Sequence, residues 1–145
     1  MAPVIPPVRA ALRAMARAMV PATQQYAEAD WADFEQRIEG ALAPRPPRVR
    51  AQFATFVRLA NWLAVPLAGK PLVALGPAAA ERVLHRLERA PVALIRRGTW
   101  GVRTMAFLGH YARASAIAAS GWRGDARGWD APGRRDASGQ RRLRA

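Results

Sequence analysis

Proline placement is the tightest constraint on this chain. Pro6 and Pro7, Pro21, the cluster Pro44, Pro46 and Pro47, and then Pro66, Pro71, Pro77 and Pro91 cut it into short segments. A proline inside a helix removes a backbone hydrogen bond and clashes with the preceding turn, so each segment must complete its structure before the next proline. Between the prolines, Ala, Leu and Arg dominate, and all three favour helix. Strand-type alternation is scarce and no internal repeat is visible. The fold these features predict is all-α. A single domain of five or six helices occupies residues 1–131, and an irregular Arg/Gly-rich tail over 132–145 has the composition of disorder.

Helical phasing fills in the segments. Pro6 and Pro7 suit a first helical turn. Val8, Leu12, Met15 and Met19 then share one stripe while Arg9, Arg13 and Arg17 line another, and Pro21 stops the helix. Asp30 reads as an N-cap for a second helix, with Trp31, Phe34, Ile38 and Leu42 on its inner face. A third helix is expected over roughly Arg48 to Val65, ended by Pro66. Val49, Phe53, Phe56, Ala60 and Leu63 make its apolar stripe, and Trp62 falls near the opposite side. The segment from Pro66 to Gly76 reads as a buried loop. Gly76-Pro77 opens a fourth helix with Ala80, Val83, Leu84 and Leu87 inward and Arg82, Arg86 and Arg89 outward.

The fifth helix, from Pro91 to at least Leu108, has two non-polar faces where an independent domain needs one. Leu94, Ile95, Gly98, Val102, Met105, Ala106 and Gly109 gather on a core face whose glycines permit close helix approach. Arg96, Thr99, Trp100, Arg103, Phe107, His110 and Tyr111 gather on the other. Aromatics and Arg are enriched at the energetic centres of protein interfaces. The face is therefore covered either by another protein or by this chain's own helices or tail.

Charge points to anionic partners. The formal net charge is +13, and a nucleic acid, an anionic membrane or an acidic protein could use it. From Arg89 to Gly124 there are six arginines and no acid before Gly124, a pattern that also suits single-strand stacking. There are no cysteines, so disulfides and thiolate chemistry are excluded. Neither GxGxxG nor GxxxxGK[ST] occurs. His85, four residues after Glu81, reads as half of a surface pair, and His110 as a structural or interface residue. The acids Glu28, Asp30, Asp33, Glu35 and Glu39 fit helix capping and a solvated face. No catalytic, cofactor-binding or metal-ligating set emerges. No apolar run approaches the roughly 20 residues that span a bilayer. Arg9, Arg13 and Arg17 interrupt the N-terminal apolar stretch, so no export signal is expected there.

Three stretches resemble a known family. They are Leu12 to Pro21, the region leading into Leu87-Glu88-Arg89-Ala90-Pro91, and Arg97 to Gly124 with Gly109-His110-Tyr111 and Ser120-Gly121-Trp122-Arg123-Gly124. Together they resemble the gluconate 2-dehydrogenase subunit 3 family, the small subunit of FAD-linked dehydrogenases whose large subunit is a glucose-methanol-choline oxidoreductase. His110 replaces one aromatic of the usual pair, and Trp122 stands where Tyr is usual. The resemblance implies a non-catalytic accessory subunit that supports maturation, stability or export of an FAD-dependent alcohol or sugar dehydrogenase. FAD would be bound by that partner and no cofactor by this chain. Arg96, Trp100, Arg103, Phe107, Tyr111, Trp122, Arg123 and Trp129 are the expected partner-binding residues. Location is expected to be cytoplasmic, with export to the periplasm directed by the partner as the alternative. A basic nucleic-acid-binding helical protein is the alternative function, and a peripheral membrane protein using the arginine stripe beside Met15 and Met19 is a third.

Overall fold

A computed structural model describes residues 2–121. Six α-helices follow in order, α1 (Arg9–Met19), α2 (Glu28–Leu42), α3 (Pro47–Ala68), α4 (Pro77–Glu88), α5 (Ala93–Tyr111) and α6 (Ala114–Ala119), with no strand among the described residues. Short 3-10 turns at Pro6–Val8, Pro21–Gln25 and Leu72–Ala74 connect them. The all-α fold expected from proline punctuation is the fold observed. None of these helices is long and apolar enough to cross a membrane. The expected disordered tail at 132–145 lies outside the described residues.

α5 is the hub, touching each of the other five helices. Its close approach depends on glycine: a Cβ built on Gly109 would lie 2.7 Å from the Phe34 ring, and one built on Gly98 would penetrate the Phe56 ring. Leu12 and Met15 of α1, Trp31, Phe34 and Ile38 of α2, Val57 and Ala60 of α3, Leu84 of α4 and Val102 and Ala106 of α5 form one continuous core.

Several local expectations need correcting. α2 begins one turn before Asp30: Ala27 holds the N-cap position, and the Asp30 carboxylate reaches back to accept the Ala27 N–H at 3.0 Å. Asp30 thus supplies the backward half of a capping box. Pro66 does not end α3 but sits inside it. A proline in the last turn sacrifices a single hydrogen bond, and termination falls to Gly69, left-handed at φ 75° with its N–H on the Val65 carbonyl at 2.7 Å. The following loop is buried only at Leu72, while residues 65–70 are all exposed. The core face of α5 is buried as expected at Val102, Ala106 and Gly109 but departs at two positions, because Leu94 is 70% exposed whereas Thr99 is fully buried. Thr99 meets burial by donating its hydroxyl to the Ile95 carbonyl at 2.8 Å.

The acidic face of α2 is not merely solvated. Glu35 is buried between Arg9 (2.9 Å) and Arg13 (2.7 Å), and Arg13 also forks onto both oxygens of Glu28. Glu39 accepts the backbone N–H groups of Val4 at 2.7 Å and Ile5 at 3.0 Å. Arg13 and Arg17 also lie over the Trp31 ring, each 5.1 Å from its centre. The α1 arginine stripe therefore faces α2, and Met15 beside it is fully buried. Arg9 and Arg17 nevertheless remain exposed to solvent.

Candidate partner interface on the last long helix

The solvent side of α5 presents Trp100, Gly101, Thr104, Phe107, Leu108 and Tyr111, with Arg97 as its cation near the N-terminal end. Trp100 is 55% and Tyr111 58% exposed. Phe107 and Tyr111, four residues apart, meet edge to face with ring centres 6.0 Å apart. Water-exposed aromatics in a row on one helix form a contiguous apolar strip, the kind of surface that marks an interaction site.

The expected arginines behave differently. Arg96 donates to the carbonyls of Ala90 (2.7 Å) and Pro91 (2.9 Å), closing the turn between α4 and α5. Arg103 makes a 2.6 Å ion contact with Glu88 of α4, though not an aligned hydrogen bond, and its Nε is buried without a partner. Its guanidinium also lies 5.5 Å from the centre of the Trp100 ring. Both arginines therefore work within the chain, and Arg103 helps hold Trp100. Of the expected interface residues, Trp100, Phe107 and Tyr111 share the exposed strip. Trp122, Arg123 and Trp129 lie outside the described residues.

A second cluster fastens the far end of α5. The Tyr26 hydroxyl and His110 Nδ1 share a hydrogen bond, and the two rings stack with centres 5.9 Å apart. Burial, reinforced by the charge of Arg113, holds the imidazole pKa below its ordinary value. Arg113 lies 4.4 Å from the centre of the Tyr26 ring, pairs with Asp30, and reaches Asp33 at 3.2 Å. His110 and Tyr111 also line a shallow groove of about 380 Å³ shared with Ala22 and with Ser115 and Ala119 of α6. Sequence reasoning reads His110 as a structural or interface residue but misses Tyr26 and Arg113. Their partners are 83 and 84 residues away in sequence, so no local spacing signals them.

The other histidine, His85, lies 3.8 Å from Glu81 as the spacing suggested, and 3.3 Å from Glu88, which links it to the Arg103 contact. Among the described residues no three His, Asp or Glu side chains gather as a metal-binding group. The chain matches no protein-family model, and neither a curated protein nor a solved structure aligns with it.

Proposed function

We propose that this chain is a non-catalytic helical subunit that docks through the exposed face of α5 onto a larger protein. The observation that carries the reading is the strip of Trp100, Phe107 and Tyr111, left open to water on the helix that organises the whole bundle. The partner we propose is the FAD-binding large subunit of an alcohol or sugar dehydrogenase. Support for that identity is the sequence resemblance over Leu12–Pro21, Leu87–Pro91 and Arg97–Gly124. The small subunit would support maturation, stability or export of the flavoprotein, which alone would hold FAD.

The test is co-expression with a flavoprotein dehydrogenase large subunit from the same genome, followed by affinity purification. Co-purification is expected, and its absence would refute the reading. Truncation of Trp100 or Tyr111 to Ala should weaken the complex by at least about 2 kcal/mol, roughly thirtyfold.

A second reading, nucleic-acid binding, is favoured by the outward side of α4, where Arg82 and Arg89 are exposed and pair with no described carboxylate. It requires affinity that falls steeply with salt. A filter-binding titration at two ionic strengths separates it from protein docking.

A further inference from the structure

The end of α3 forms a partly exposed apolar tip. Residues 65–70 are exposed in an unbroken run, Val65 and Leu67 each to 37%, with Leu67 bordering α4. Trp62, one turn before, is 64% exposed, and Val73 after it is exposed too. The tip is nevertheless held in place. Leu72 is fully buried beneath it, and Asn61 Oδ1 accepts the Val73 N–H at 3.0 Å.

Cations outnumber acids around the tip, where Glu81 beside Arg82 is the nearest acid in sequence. Residues 40–80 contain no Asp or Glu. Within them Arg58 and Lys70 are exposed and form no ion pair among the described residues. A groove of about 290 Å³ opens beside the tip, with Leu67, Leu75 and Val83 on its apolar side and Arg82 and Arg86 one turn apart on α4. Arg82 has no described carboxylate partner, and Arg86 reaches only the Leu67 carbonyl, at 3.5 Å.

An exposed Trp beside aliphatic side chains and unpaired cations matches the boundary between lipid headgroups and acyl chains. We propose that the α3 tip is a peripheral docking site for an anionic lipid surface. Trp62, Leu67 and Val73 enter the headgroup–acyl boundary, and Lys70, Arg82 and Arg86 meet the lipid phosphates. The site shares no residue with the α5 strip, so it stands or falls independently of the flavoprotein reading.

The experiment is flotation of the full chain with vesicles of mixed phosphatidylglycerol and phosphatidylcholine, against phosphatidylcholine alone. Binding to the mixed vesicles only is expected. Leu67→Asp and Trp62→Ser, both at exposed positions and checked for helicity by circular dichroism, should abolish most of it. Arg82→Gln and Arg86→Gln should each weaken it about fivefold, while Trp100→Ser should leave it unchanged. The proposal is overturned if the mixed vesicles are not bound, or if Leu67→Asp binds as well as the parent chain. It is also overturned if neutral vesicles bind equally well, or if the tip instead mediates self-association that Trp62→Ser abolishes in sedimentation.

Discussion

Glycines of α5 have opposite roles depending on which way they face. Gly109 lies under the Phe34 ring, where an added Cβ would come within 2.7 Å, far inside contact range, whereas Gly101 faces open space. Gly109→Ala should destabilise by about 1–3 kcal/mol through overpacking, less the fraction regained in helix propensity. Gly101→Ala should stabilise by about 0.4–1 kcal/mol. Urea unfolding of the two variants measures both, and equal effects would show that the close approach to α2 carries no energy. His110 makes a further residue-scale prediction. Its folded pKa lies below the ordinary imidazole value because burial, and then Arg113, oppose its charge. The unfolded chain therefore binds the proton more readily. Stability from this group is complete above about pH 6.5 and is lost as the pH falls toward the folded value. Glu28 and Asp30 are shifted downward, mainly by the hydrogen bonds from Arg13 and from the Ala27 N–H respectively, so their contribution is lost only under more acid conditions. Urea midpoints measured from pH 7.5 to 5 should fall in the parent and change less in His110→Gln.

At the scale of elements, periodicity locates the helices and their inner stripes well. The stripe Trp31, Phe34, Ile38 and Leu42 and the stripe Ala80, Val83, Leu84 and Leu87 are buried as their spacing requires. Helix ends are less legible, because a stop signal acts only in company. Pro66 looks like a terminus, yet the left-handed Gly69 closes α3. Gly69→Ala should cost about 1 kcal/mol, since a Cβ disfavours that conformation even where space is open. Thermal melting would detect it, and an unchanged midpoint would indicate that the helix simply frays. The buried face of α5 departs from its phasing at Leu94 and Thr99, where a 100° period alone cannot say which neighbours stand opposite.

For the whole molecule, folding and docking make separable demands on α5. Trp100→Ser with Tyr111→Ser should leave global stability within about 0.5 kcal/mol, because both side chains are exposed, yet should remove partner binding. A large loss of stability instead would mean that the strip serves the chain's own core. The all-helical class, the element order and most core residues are legible from the chain alone, because proline chemistry and apolar spacing act within a few residues. The pairing of charges is not. In sequence Arg9, Arg13 and Arg17 look like a free basic stripe, and Arg96 and Arg103 like partner-binding groups. Packing gives Arg9 and Arg13 to Glu35, sets Arg17 over Trp31, and turns Arg103 toward Glu88 and Arg96 to the carbonyls of Ala90 and Pro91. Local interactions thus write the helices into the sequence. Which side chains remain free to meet another molecule depends on how those helices lie against one another, since ion pairs 22 to 83 residues apart form only once the helices have packed.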